Sequence, residues 1–191
     1  ALLASLLRQA PSATMNLISE NEIEHIAIGY FQSRGYIHIY GPDISPDGEH
    51  PERQYHEVVL VTRLRDAIDK LNPDLPYDTK EEALRKILRI ESQDLLINNE
   101  LFHRYLTEGI DVEVRTPDGL RGQKAYLVDF EQPENNELLL INQFTIIENN
   151  QNKRPDLIIF VNGLPLVVIE LKNAVDEKAT LKTAFNQLQT Y

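Results

Sequence analysis

The chain has 191 residues and a formal charge of −11, from 19 Lys and Arg against 30 Asp and Glu. Its 42% hydrophobic and 26% charged residues fit one globular domain and exclude a fully disordered chain. The acidity excludes a generally basic nucleic-acid coat or a polybasic membrane binder, and leaves room for a local basic site.

Cysteine is absent, which removes disulfides, zinc thiolates and thiol nucleophiles. No apolar run approaches the roughly 18 residues of a membrane span. Met15 is the only methionine. Residues 1–14 therefore read as a leader or vector-derived segment, or as a short native amphipathic helix over Leu2–Leu7. Residues 15–191 read as one domain, a fragment of something longer.

Ser19 and Glu22 form a capping box, and Ile23, Ile26, Ala27, Tyr30 and Phe31 follow at helical spacing. That predicts a helix ending near Arg34, with Gly35 as its stop. Tyr36–Tyr40 is a short strand. Gly41–Gln54, rich in Pro and Gly, reads as a surface loop. His56–Leu71, Thr79–Glu91 and Asn98–Thr107 read as helices. From Ile110 the period changes to two, and strands are expected over Val112–Arg115, Ala125–Phe130, Leu138–Glu148, Asp156–Val161 and Leu166–Lys172. Asp176–Tyr191 reads as a final helix with Leu181, Ala184, Phe185 and Leu188 as its core stripe.

Some motifs fail on inspection. Asp43-x-Ser45-x-Asp47-Gly48 starts like a calcium loop, but its twelfth position is Gln54 rather than a bidentate Glu. His56-Glu57 starts like a zinc-protease helix, but Leu60 stands where the second histidine belongs. Neither a G-x-S-x-G elbow nor a P-loop occurs.

The chemistry concentrates in Pro155-Asp156 and Glu170-Leu171-Lys172, flanking a hairpin with its turn at Asn162-Gly163. Residues i and i+2 of a strand share a face, so Glu170 and Lys172 project together and Leu171 turns to the core. Two carboxylates repel unless a hard divalent cation lies between them, and Mg²⁺ prefers one or two carboxylates with waters and phosphate oxygens. The Leu171 carbonyl is a further ligand candidate. Lys172 can orient a water, assist its deprotonation or neutralise developing charge. The chemistry inferred is metal-assisted phosphodiester hydrolysis. Register sets a condition on it. A regular two-residue Asn162-Gly163 hairpin would set Asp156 opposite Ile169, on the other face from Glu170. An odd-length loop, or a single-residue bulge such as one near Pro165, is therefore required between the two carboxylates.

The same residues resemble the PD-(D/E)xK nuclease motif. The run from Arg154 to Asn173 closely resembles the nuclease segment of the restriction (R) subunit of type I restriction–modification enzymes. Asn99–Gly109 is similar to the helix preceding the strands in that family, Asn142-Gln143-Phe144 to its central strand, and Gln187 with Tyr191 to its Q-x-x-x-Y signature. The likeness runs from about Asn21 to Tyr191.

The resemblance implies an α/β fold with a restriction-endonuclease-like core, a mixed β-sheet flanked by helices. It implies a Mg²⁺-dependent endonuclease domain cleaving double-stranded DNA after ATP-driven translocation by domains absent here. Asp156, Glu170 and Lys172 would be catalytic. Asp156, Glu170, the Leu171 carbonyl and Glu24 would face the metal. Gln187 and Tyr191 would support the site or contact DNA, as would Lys153, Arg154, Lys178 and Lys182. Residues 151–191 carry five basic against four acidic side chains, so DNA is expected on this side of an otherwise acidic domain. The implied partners are methyltransferase and specificity subunits, in a prokaryotic cytoplasm and without a membrane. A repair or recombination nuclease of the same superfamily, or a non-catalytic docking domain, remain alternatives.

Overall fold

The computed structural model describes residues 19–89, 92–172 and 181–189. The first helix, α1 (Glu20–Gln32), opens with the expected capping box: the Ser19 N–H donates to Glu22 Oε2 at 2.7 Å and the Glu22 N–H to Ser19 Oγ at 3.2 Å. Its buried stripe is rotated from the expected one. Ala27, Ile28 and Phe31 pack inward, while Ile26 and Tyr30 stay exposed. Apolar residues occupy more than one face of this helix, and the Arg34 guanidinium covers the Tyr30 ring at 4.3 Å, so the surface tolerates it.

Strand β1 (Ile37–Tyr40) follows. A long connection holding α2 (Val61–Leu71), α3 (Tyr77–Leu88), α4 (Leu95–Glu108), β2 (Ile110–Thr116) and β3 (Gly119–Ala125) then leads to β4 (Leu138–Asn142). After the short hairpin of β5 (Ile146–Glu148) and β6 (Gln151–Lys153) come β7 (Leu157–Val161), β8 (Leu164–Ile169) and helix α5 (Leu181–Leu188). The main sheet has the order β1-β4-β7-β8, with β1 parallel to β4 and the other pairs antiparallel. The protein is thus mixed α/β, a mixed sheet flanked by helices. Among the described residues no helix is long and apolar enough to cross a membrane.

Alternation along the central strands feeds two apolar layers. Leu139, Ile141, Ile158 and Phe160 pack with Ile44, Leu60 and Phe144 on one face. Leu140, Leu157 and Ile159 pack against α1 on the other. A third cluster joins α2, α3 and the β2–β3 hairpin through Leu64, Ile68, Leu84, Ile110 and Val112.

Several expected elements are corrected. The helix expected from His56 starts at Val61, because the Leu60 N–H donates to Gly163 O at 2.9 Å and anchors the chain before the first turn. The helix expected over Thr79–Glu91 runs Tyr77–Leu88, and the one expected from Asn98 starts at Leu95, where the Asp94 side chain caps the Leu96 N–H. Ala125–Phe130 is not a strand. The true partner of β2 is Gly119–Ala125, whose solvent-facing residues give no alternating signal. Beyond it, side-chain amides replace a ladder. Asn72 accepts from Tyr126 N and donates to Tyr126 O, Asn162 donates to Leu127 O, and Asn136 accepts from Asp129 N. The expected strand Leu138–Glu148 breaks at Gln143, which takes φ 55.

Gly41–Gln54 is not wholly a surface loop. Ile44 is in the core and Arg53 is only 3% exposed. The Arg53 guanidinium lies 3.8 Å over the Phe144 ring and donates to the carbonyls of Glu57, Tyr55 and Thr145. Burial, partly offset by Glu57 and Tyr55, lowers its pKa to about 10. Arg53→Leu strands three carbonyls and is expected to cost roughly 2–4 kcal/mol in chemical denaturation; a loss near zero would show that they find other partners.

The stripe of α5 is not core. Leu181 is 93% and Phe185 59% exposed, and no residue of the helix is buried. Periodicity reports that a helix has an apolar face, not what covers it. Residues 1–14, and positions 176–180, 190 and 191 of the helix expected over Asp176–Tyr191, lie outside the described residues.

Candidate active site

The register condition is met by a bulge. Val161 pairs with Leu164 and Phe160 with Pro165 across a two-residue Asn162-Gly163 turn. Ile159 then pairs with Val167 and Leu157 with Ile169, leaving Leu166 as the extra residue. Carried one step beyond the ladder, this register aligns Asp156 with Glu170. Pro165 has no N–H to give to a ladder, which makes its neighbourhood a low-cost place for the irregularity. The loop cannot lengthen instead, because its tip is pinned. Asn162 is buried, its N–H donates to Glu137 O, and its Oδ1 accepts the Glu137 N–H.

The strand ends at Ile169, short of the expected Lys172, so Glu170 and Lys172 are not paired in the sheet. Their side chains still converge: Lys172 Nζ lies 3.0 Å from Glu170 Oε1. The Glu170 side chain is 3% exposed. Leu171 packs inward beside Leu157 and Ile169, and its N–H donates to Asp156 Oδ2 at 2.6 Å. Glu20, Glu24, Gln143, Arg154, Asp156 and Leu171 line a cleft of about 310 Å³.

The electrostatics follow from this crowding. Burial, with the charges of Glu170 and Glu24, raises the Asp156 pKa against the opposing Leu171 N–H and Lys172 charge. Burial alone would lower Lys172, but the Glu170 hydrogen bond and the charges of Glu170, Glu20 and Asp156 outweigh it, and its pKa is raised. Lys172 is therefore a firmly held ammonium.

Among the described residues no group of three or more His, Asp or Glu side chains stands ready to hold a metal ion. The donor set of two carboxylates and a main-chain carbonyl nonetheless fits a hard divalent cation, which takes one or two carboxylates and keeps much of its water. Burial raises Asp156 most, and the carboxylate repulsion from Glu170 and Glu24 that adds to it is what such a cation relieves.

Other expected residues are placed as follows. Glu24 reaches the cleft, where Asn142 Nδ2 donates to its Oε1 at 2.7 Å and Gln143 Nε2 to its Oε2 at 3.1 Å. Arg154 lines the cleft, and Lys153 ends β6. Gln187 is partly buried on α5 and Lys182 is exposed there. Lys178 and Tyr191 lie outside the described residues. Asn142, Gln143 and His38 were not singled out as site residues from the sequence. The available signal was a polar pair closing the apolar run Leu138–Ile141.

The sequence matches the family described as type I restriction enzyme R protein N terminus over residues 17–191. It is 38% identical over 177 residues to the type I restriction enzyme HindI endonuclease subunit of Haemophilus influenzae, covering 92% of this chain and 17% of that protein. It is 30% identical over 172 residues to the putative type I restriction enzyme MjaIXP endonuclease subunit of Methanocaldococcus jannaschii, covering 88% of this chain and 16% of that protein. The chain thus spans about one sixth of the length of these relatives.

Proposed function

The chain belongs to the type I restriction enzyme R protein N-terminal family, and from that premise we propose that it is the Mg²⁺-dependent nuclease domain of the restriction subunit, cutting double-stranded DNA. The observation that carries this reading is the bulged hairpin that sets Asp156 across from Glu170 beside the Lys172 ammonium.

Asp156, Glu170 and the Leu171 carbonyl would hold the metal, with Glu24 lining the same cleft from α1. The chemistry that bound Mg²⁺ supplies is Lewis-acid neutralisation of charge on the phosphate. The Leu171 N–H fixes one oxygen of Asp156, so its rotamer is set before substrate arrives. Lys172, kept protonated by its acidic neighbours, orients the attacking water and offsets negative charge as the phosphate bond breaks. Arg154, at the rim, and Lys153 meet the DNA backbone, with Lys178 and Lys182 further along the chain. Gln187 and Tyr191 support the site. Sequence recognition and ATP-driven translocation belong to other domains and subunits of a cytoplasmic restriction–modification complex.

In the assembled enzyme, Lys172→Ala is expected to lose on the order of 10²–10⁴ in cleavage rate while DNA binding persists. Unchanged cleavage by that variant would refute the assignment. Residues 1–191 alone, without a P-loop, are expected to show no ATP hydrolysis and only weak, salt-sensitive, non-specific DNA binding. Robust ATPase activity, or tight binding to one sequence, contradicts the division of labour.

A further inference from the structure

We propose that Asn142 and Gln143 are positioning residues for the reaction, holding the Glu24 carboxylate on the cleft, and that His38 sets the orientation of the Asn142 amide. The inference rests on the nuclease reading and extends it to residues that do not touch the reacting atoms.

Asn142 ends β4, a strand otherwise made of Leu138, Leu139, Leu140 and Ile141, and it is 7% exposed. A primary amide at such a position is unfavourable unless both its ends are bonded. Both are: Nδ2 lies 2.7 Å from Glu24 Oε1 and Oδ1 lies 2.9 Å from His38 Nε2. A carboxylate only accepts, so the NH₂ group must face Glu24. The carbonyl oxygen then faces the imidazole, and His38 must carry its hydrogen on Nε2. The result is a directional relay of donors from His38 through Asn142 to Glu24, spanning β1, β4 and α1. A flipped amide would set an oxygen against the carboxylate and an NH₂ against a ring N–H.

Gln143 ties the relay to the other acid. Its side-chain Nε2 donates to Glu24 Oε2 at 3.1 Å, and its backbone N–H donates to the Asp156 carbonyl at 3.2 Å. It does so at φ 55, a left-handed conformation that a non-glycine residue keeps when its surroundings over-determine it. Both Glu24 oxygens are thus gripped by neutral amides. These orient the carboxylate without cancelling its charge, as a lysine or arginine would.

The test uses the full-length subunit. Mn²⁺ is titrated by electron paramagnetic resonance without DNA or nucleotide, alongside Mg²⁺ dependence of cleavage in the assembled enzyme. Asn142→Leu and Gln143→Met are each expected to weaken Mn²⁺ binding about tenfold to 100-fold and to raise the Mg²⁺ requirement similarly, as for partners that orient a metal's ligands. His38→Gln, whose side-chain N–H can replace the ring donor, should stay within about threefold of the parent; His38→Leu should not. In a Glu24→Gln background, Asn142→Leu should add no further weakening. Unchanged Mn²⁺ affinity in both Asn142→Leu and Gln143→Met overturns the inference, as do equal effects of His38→Gln and His38→Leu, or additive losses with Glu24→Gln. If Asp156→Asn abolishes cleavage while Asn142→Leu and Gln143→Met bind Mn²⁺ normally, this inference alone fails. If Asp156→Asn also cuts and binds normally, the nuclease reading falls and takes the inference with it.

Discussion

Asp156→Asn in the assembled enzyme is expected to lower DNA cleavage by about 10³-fold or more, the equivalent of several kcal/mol of lost charge stabilisation. Folding should not suffer. The asparagine can still accept the Leu171 N–H, and the half-buried negative charge near Glu170 and Glu24 disappears. The sign of that second effect follows from linkage. The folded protein raises the Asp156 pKa, so it binds this proton more tightly than the unfolded chain does. Ionised Asp156 therefore opposes folding at neutral pH, and its removal should leave Tm unchanged or raised. Loss of cleavage with an intact or higher Tm marks a residue kept for chemistry at some cost in stability. Near-normal cutting would remove the physical basis of the site.

Gly163→Ala should have the opposite profile, a large loss of stability from a residue with no chemical role. Asn162 and Gly163 take φ 52 and 80, the left-handed pair of a tight hairpin turn. A Cβ at Gly163 would stand 2.6 Å from the Leu60 carbonyl oxygen and 2.8 Å from the Leu64 nitrogen, both backbone atoms at the start of α2. Neither can swing aside as a side chain would. The Leu60 N–H to Gly163 O bond would be strained with them. The expected cost is on the order of 3 kcal/mol, or a fall in Tm of roughly 6–12 °C for a domain this size. Gly122→Ala is the control: nothing lies within 4 Å of its would-be Cβ, and Tm should move little. Equal effects at the two glycines would mean that the turn is not clamped between β7 and α2.

These two predictions meet in one hairpin. Because the Gly163 tip is fixed against α2, the register correction that Asp156 and Glu170 require is displaced into the strand, at Leu166 beside Pro165. The turn thus contributes to the site without touching it.

The candidate site could be proposed from the sequence because its residues are close along the chain. Asp156, Glu170 and Lys172 flank a single hairpin, and strand geometry is enough to require an irregular register if the two carboxylates are to share a face, which the bulge supplies. The Ser19–Glu22 capping box was equally local. Less could be read where long-range partners decide. Whether the register changed in the loop or in the strand depended on what held Asn162 and Gly163, and those partners are Glu137 and Leu60. The Tyr126 N–H and carbonyl, the Leu127 carbonyl and the Asp129 N–H and carbonyl bond to the amides of Asn72, Asn162 and Asn136, so apolar alternation there did not mean a strand. The grip of Asn142 on Glu24 joins residues 118 positions apart, beyond the reach of any periodic pattern. By itself the sequence determined which functional groups exist and which local geometry they demand, since chemistry and chain spacing are written residue by residue. Only the tertiary structure decided how that demand is met, because hydrogen-bond satisfaction and packing are settled between segments that the chain keeps far apart.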